Sequence, residues 1–276
     1  MRYGKFLPEK GTIGFVAPSF GCNIEPYRSA FINAQKIWEQ QGYGFSFGPN
    51  AYEGCGIGIS NTPQKCAEEF NDWYAKEDVD VLISCGGGEL MCEILPYIDF
   101  EKIRNSEPKW FLGYSDNTNL IFLLATLCDT AAIYGPCAAA FGMEPWHDSL
   151  KDAMGILKGN IKSVHNYEQW EKEGLKTEDN PLEPYNVTEK FQLRTWTAEK
   201  GLSIPDDISK KTDEIIQMEG RLLGGCLDCL SILCGTKFDQ VEQFNEKYKE
   251  DGILWFLESC DLNVMSIRRA VWGSTF

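Results

Sequence analysis

Trp110-Phe-Leu-Gly-Tyr-Ser-Asp-Asn-Thr-Asn-Leu-Ile-Phe-Leu-Leu-Ala-Thr-Leu-Cys128 reads as a strand, a turn and a helix in immediate succession. Trp110 to Gly113 is short and apolar, Tyr114 to Asp116 carries turn residues, and Thr118 to about Cys128 is a strongly apolar helix. The same order recurs upstream. Gly11 to Ala17 (GTIGFVA) reads as a buried strand ending at Pro18-Ser19, and Ala30 to Gln41 carries an amphipathic helical pattern that Gly42 stops. Pro63 to Lys76 reads as a second helix, with Thr62 as N-cap and Pro63 at its first position, where a missing N–H costs nothing. Val79 to Ser84 (VDVLIS) is another apolar strand, and Cys85-Gly-Gly-Gly88 leads from it into a helical run over Glu89 to Tyr97. Short apolar strands that alternate with helices are joined by crossovers, so a mostly parallel sheet with helices on both faces is expected.

Downstream the character of the chain changes. Residues 166–211 are rich in charged, aromatic and turn residues and hold only short strand candidates such as Phe191 to Thr197. Order resumes at Gly220 to Gly235 (GRLLGGCLDCLSILCG), read as a glycine turn feeding an apolar helix. Gly252 to Glu258 (GILWFLE) is an apolar strand ending in an acid, and Asn263 to Trp272 begins a helix. The division expected is an N-terminal α/β domain over 1–165, a linker and surface excursion over 166–215, and the beginning of a second, incomplete α/β domain over 216–276.

Composition narrows the partners. Hydrophobic residues make up 43% and aromatics 13%, enough to close a core and to exclude a disordered chain. The net charge of −15 repels polyanions, so neither nucleic acid nor an anionic membrane surface is an expected partner. No apolar run approaches the roughly 20 residues needed to span a bilayer, and Pro8 and Glu9 interrupt the N-terminus before a signal-peptide core can form. A cytoplasmic protein is expected. Its 11 cysteines are odd in number and lack framework spacing, which suits reduced thiols. Cys226 and Cys229 form a Cys-x-x-Cys with Cys234 nearby, but zinc would want a second pair at comparable spacing and the sequence has none.

In parallel sheets ligands gather at the carboxyl ends of strands, where loops and free helix N–H groups meet. Three loops belong on that edge: Pro18 to Cys22, Cys85 to Glu89 and Gly113 to Asn117. In the third, a tight elbow would lift the Ser115 hydroxyl above the sheet and aim the following N–H, that of Asp116, at a substrate carbonyl oxygen. The motif departs from G-x-S-x-G at its last position, and a plain helix N-cap is the other reading of Ser115. The amides of Gly86-Gly87-Gly88 suit a second oxyanion donor, a phosphate cradle or a simple tight turn. Glu258 ends an apolar strand, where a carboxylate is costly without a partner, and would orient a histidine in a triad; an exposed acid just past a strand is the alternative. His147 and His165 are the only histidines, and both read as loop residues away from the strand edge.

Taken together, Cys85-Gly-Gly-Gly-Glu-Leu90, Ile94-Leu-Pro-Tyr-Ile-Asp99, Pro108 to Thr118 (PKWFLGYSDNT), Tyr134-Gly-Pro136, Gly220-Arg-Leu-Leu-Gly-Gly225 and Phe256-Leu-Glu258 resemble the LD-carboxypeptidase family of serine peptidases over essentially the whole chain. The long excursion resembles the branch containing the microcin C self-immunity peptidase more than the shorter murein enzymes. The resemblance implies a flavodoxin-like N-terminal domain and a Ser-Glu-His triad with Ser115 as nucleophile and Glu258 orienting the base. It implies an oxyanion hole from the N–H of Asp116 and of Gly87 or Gly88, no metal or organic cofactor, and a possible homodimer. The substrate implied is a murein-type LD-peptide or an aminoacyl-nucleotide conjugate. The family's histidine lies downstream of the position matching Glu258, and this sequence runs to Phe276 without one. A truncated chain is therefore expected, with a non-catalytic binding remnant as the alternative.

Overall fold

The computed structural model describes residues 1–192 and 217–273. Five parallel strands form the central sheet: β1 (Thr12–Val16), β2 (Gly44–Phe47), β3 (Val81–Ser84), β4 (Trp110–Gly113) and β5 (Ile133–Tyr134), in the order β2-β1-β3-β4-β5. This is the flavodoxin-like order, with a change of winding direction between β1 and β3 that opens a crevice at their carboxyl ends. The helices are α1 (Tyr27–Gln40), α2 (Pro63–Ala75), α3 (Phe100–Asn105), α4 (Thr118–Thr126) and α5 (Asp148–Leu157), with short 3-10 segments at Met91–Tyr97, Ser115–Asn117 and Ala138–Gly142. The excursion contributes a small antiparallel pair, β6 (Gln169–Glu171) and β7 (Val187–Lys190). After it come β8 (Arg221–Cys226), α6 (Leu227–Leu233), α7 (Val241–Lys247), β9 (Ile253–Glu258) and α8 (Val264–Gly273), with β8 and β9 paired in parallel.

The apolar runs of β1, β3 and β4 lie inside the sheet because helices cover both faces. On one face Phe15, Phe31, Trp38, Phe141 and Leu157 pack β1 against α1 and α5. On the other, Phe70, Phe111, Leu120 and Leu123 pack α2 and α4, and this cluster runs on without a break into Leu223, Leu230, Leu233 and Phe244 of the C-terminal segment. Each of these fully covered side chains contributes about 1.5–3 kcal/mol, so the C-terminal segment is held to α4 by core packing rather than by a tether.

Two glycines explain how close that approach is. A Cβ on Gly224 would stand 1.8 Å from the Phe256 carbonyl oxygen, and one on Gly225 would stand 2.6 Å from the Thr118 side chain. Both have positive φ, +152° and +140°, which an L side chain rarely adopts. The Gly-Gly expected to make a turn is thus the inner part of a strand, with the Cys226 N–H donating to Thr118 Oγ1 at 2.9 Å.

Other local expectations shift for similar reasons. The run after the glycine loop winds as a 3-10 segment, with Pro96 inside it removing a donor. Thr62 precedes α2 as expected, with Pro63 at the first position, but its hydroxyl makes no capping bond. Strand β2 and the pair β6/β7 were not expected, and the candidate Phe191 to Thr197 falls almost wholly outside the described residues.

Candidate active site

The three loops at the carboxyl edge meet. The Phe20 N–H donates to Gly87 O at 2.9 Å, the buried Ser19 hydroxyl donates to Asp116 Oδ2, and the Met91 N–H donates to the same oxygen at 2.9 Å. Asp116 Oδ1 accepts from Asn119 Nδ2 at 3.0 Å, so this carboxylate, only 4% exposed, ties all three loops together. Burial raises its pKa, and the Ser19, Met91, Cys229 and Asn119 donors offset part of that rise.

Ser115 follows β4 in a left-handed backbone conformation, φ +60°. For an L-residue this costs about 1–2 kcal/mol, and it persists only where neighbours fix it. They do: the Ser115 N–H donates to the Tyr134 hydroxyl at 2.9 Å, and Asn117 Nδ2 donates to Gly86 O at 2.9 Å and to Tyr114 O at 3.0 Å. Among the described residues the Ser115 hydroxyl makes no hydrogen bond, and the N–H groups of Asp116, Gly87 and Gly88 have no acceptor. Gly87 borders the hydroxyl directly, since a Cβ there would lie 3.5 Å from Ser115 Oγ. A left-handed serine at a strand-to-helix turn, with unspent amides on two sides, is the geometry of a nucleophile elbow and not of an ordinary N-cap.

Register explains where Glu258 stands. Gly113 pairs with Tyr134 across β4 and β5, and Cys226 pairs with Glu258 across β8 and β9, so Tyr134 and Glu258 each stand at the carboxyl end of their own strand. The Tyr134 hydroxyl donates to Glu258 Oε1 while accepting the Ser115 N–H, which sets the carboxylate two hydrogen bonds from the elbow backbone. Glu258 is exposed, and its other oxygen has no partner among the described residues. Burial first, then the Glu258 carboxylate, pushes the Tyr134 phenol well above its ordinary pKa, so it stays a donor.

The histidines stand apart from this group. His147 caps α5, with Nδ1 accepting the Ser149 N–H at 3.2 Å and its ring against Tyr167 and Tyr185. His165 is exposed in the loop before β6. Cys226 and Cys229 are buried free thiols, the latter with Sγ 3.8 Å from both Ser115 O and Asp116 Oδ1. Among the described residues no three His, Cys, Asp or Glu side chains gather as metal ligands. An apolar cavity of about 170 Å³ lies behind β9, among Phe122, Leu230, Trp255 and Val271, and does not reach Ser115. Tyr134, Ser19 and Thr118 were given no role from sequence, although Tyr134 sits in the quoted Tyr-Gly-Pro at a strand end, the one signal that could have found it.

Among the described residues no helix is long and apolar enough to cross a membrane. Residues 13–135 match the LD-carboxypeptidase N-terminal domain. The microcin C7 self-immunity protein MccF of Escherichia coli is 23% identical over 94% of this chain and 69% of that protein. A structure of MccF with aspartyl sulfamoyl adenosine superposes with a TM-score of 0.76 at 21% identity, covering 97% of this chain and 73% of that one. An MccF-like protein from Streptococcus pneumoniae, in complex with AMP, gives 0.73 at 19% identity over 95% of this chain and 77% of its own. Residues 13–135 therefore form an LD-carboxypeptidase N-terminal domain, and the chain as a whole is similar to the microcin C7 self-immunity protein.

Proposed function

We propose that this chain is a serine amidohydrolase with Ser115 as nucleophile, whose substrate is an aminoacyl-nucleotide conjugate or a murein-type LD-peptide. The single observation that carries the reading is Ser115 at φ +60° with a free hydroxyl beside three unspent amides. Ser115 Oγ attacks the amide carbon while an imidazole takes its proton. The oxyanion forms against the N–H of Asp116 and of Gly87 or Gly88, each such donor being worth about 10²–10³ in rate. The C–N bond breaks as the imidazolium returns the proton to the leaving nitrogen, and water then hydrolyses the acyl ester by the reverse relay. Glu258 would orient the imidazole through its free oxygen. The ligands carried by the structural neighbours, an aminoacyl sulfamoyl adenosine and AMP, support the conjugate as substrate class.

Neither His147 nor His165 stands beside Glu258, so the test supplies the base. Hydrolysis of an aspartyl adenylate amide and of an LD-tetrapeptide is measured with and without imidazole, in the unaltered chain and in Ser115→Ala. The expected result is slow hydrolysis that rises with imidazole concentration and disappears in Ser115→Ala. A binding protein without turnover is the second reading, favoured by the absence of a histidine at the elbow among the described residues. Tight conjugate binding with no imidazole response would establish it.

A further inference from the structure

Tyr134 joins the two halves of the candidate site. Its hydroxyl accepts the Ser115 N–H at 2.9 Å, donates to Glu258 Oε1, and its ring packs on Phe256 at 5.5 Å between centroids. The phenol therefore lies between β5 of the first sheet and the end of β9 in the second. We propose that Tyr134 is a positioning residue for this reaction, holding the elbow backbone in its left-handed turn and fixing one oxygen of Glu258 so that the other is presented to the base. The inference rests on the reading of Ser115 as nucleophile.

Tyr134 acts by removing conformational freedom from both of its partners. Glu258 ends its strand exposed and meets no cation among the described residues, so without the phenol its side chain would spread over several rotamers, and a carboxylate that wanders cannot orient an imidazole. The Ser115 N–H is already spent, and its acceptor is this same hydroxyl. Losing the hydroxyl would leave that amide unpaired and loosen a turn that is strained in any case. Burial raises the phenol's pKa, which keeps it a donor toward Glu258 through the neutral range, and Thr118 adds a further hydroxyl beside it. The packing on Phe256 uses the ring alone and survives loss of the hydroxyl.

The test compares the unaltered chain with Tyr134→Phe in the imidazole-supported hydrolysis, with Ser115→Ala as the blank. The phenylalanine keeps the ring and removes both hydrogen bonds. The expected result is a fall in kcat of about 10–100-fold with KM changed less than threefold, as for an interaction that matters to the transition state more than to binding. Tyr134→Phe combined with Glu258→Gln should be no worse than the poorer single variant, since the two act through one element. Should Tyr134→Phe fail to fold, Glu258→Gln, which weakens the same link from its other end, should give the same fall in kcat with little change in KM, and unchanged kcat in that variant overturns the inference. Ser115-dependent turnover left unchanged by Tyr134→Phe overturns the inference alone. No Ser115-dependent turnover in the unaltered chain overturns the reading of Ser115 and the inference with it.

Discussion

The strain at Ser115 can be measured without any substrate, by comparing Ser115→Gly with Ser115→Ala. Both remove a hydroxyl that makes no hydrogen bond among the described residues, so neither loses a hydrogen bond that the other keeps. They differ in tolerance of φ +60°. Alanine carries the same left-handed penalty as serine, about 1–2 kcal/mol, while glycine carries none. Glycine gives back about 0.5–1 kcal/mol through the larger freedom of its unfolded chain. The balance makes Ser115→Gly more stable than Ser115→Ala by about 1 kcal/mol, the reverse of the usual order at an ordinary helix start. For a chain of this size that is a difference of about 2–4 °C in Tm, resolvable by calorimetry and by urea titration with equal slopes. Alanine should lie within about 0.5 kcal/mol of the unaltered chain. If Ser115→Gly proves equally or less stable than Ser115→Ala, the turn is relaxed in solution and the elbow geometry, with the nucleophile argued from it, is wrong.

Glu69 supplies a pH signature. It is 2% exposed, accepts the Ala17 and Asn50 N–H groups at 2.9 and 3.0 Å, and burial raises its pKa from 4.5 to about 7. The folded state then holds the extra proton between those values, so its stabilising share is full below about pH 4.5 and is lost, by up to about 3 kcal/mol, as pH rises through 7. Urea midpoints of the unaltered chain should fall over that window while those of Glu69→Gln stay flatter; parallel profiles would refute the assignment. At Gly224, alanine should cost about 3–5 kcal/mol from overpacking and backbone strain, because its Cβ meets the Phe256 carbonyl at 1.8 Å. Gly235→Ala, at φ +68° with nothing within 4 Å, should cost only about 1 kcal/mol, and equal losses by denaturant titration would show that close approach is not what the Gly224 position requires.

The parallel sheet was legible because local signals agree with one another. Apolar strands such as Val81–Ser84 and Trp110–Gly113 have glycine or proline close by, and the helices α1 and α2 carry a clear apolar face. The elbow was legible for the same reason: a strand end, a serine and a helix start follow in order, and backbone sterics do the rest. Strand β2 was missed because Gly44–Phe47 is a short edge strand after a glycine turn, with too few residues to show a period. The Gly224–Gly225 pair misled because glycine usually marks a turn, while here the missing side chains serve an approach between backbone and the Thr118 side chain, a reason that exists only after folding.

Glu258 was marked by chemistry, an acid closing an apolar strand, yet sequence could not say which group it meets. That group is set by two registers at once, Gly113 opposite Tyr134 and Cys226 opposite Glu258, in two sheets brought together by the shared core of α4, α6 and α7. A contact between residues 124 positions apart carries no local pattern, because neither strand needs the other's side chain to form. What sequence can offer is the tyrosine at a strand's carboxyl end before Gly135-Pro136, and only the position of that edge, next to the elbow, turns it into a link between Ser115 and Glu258.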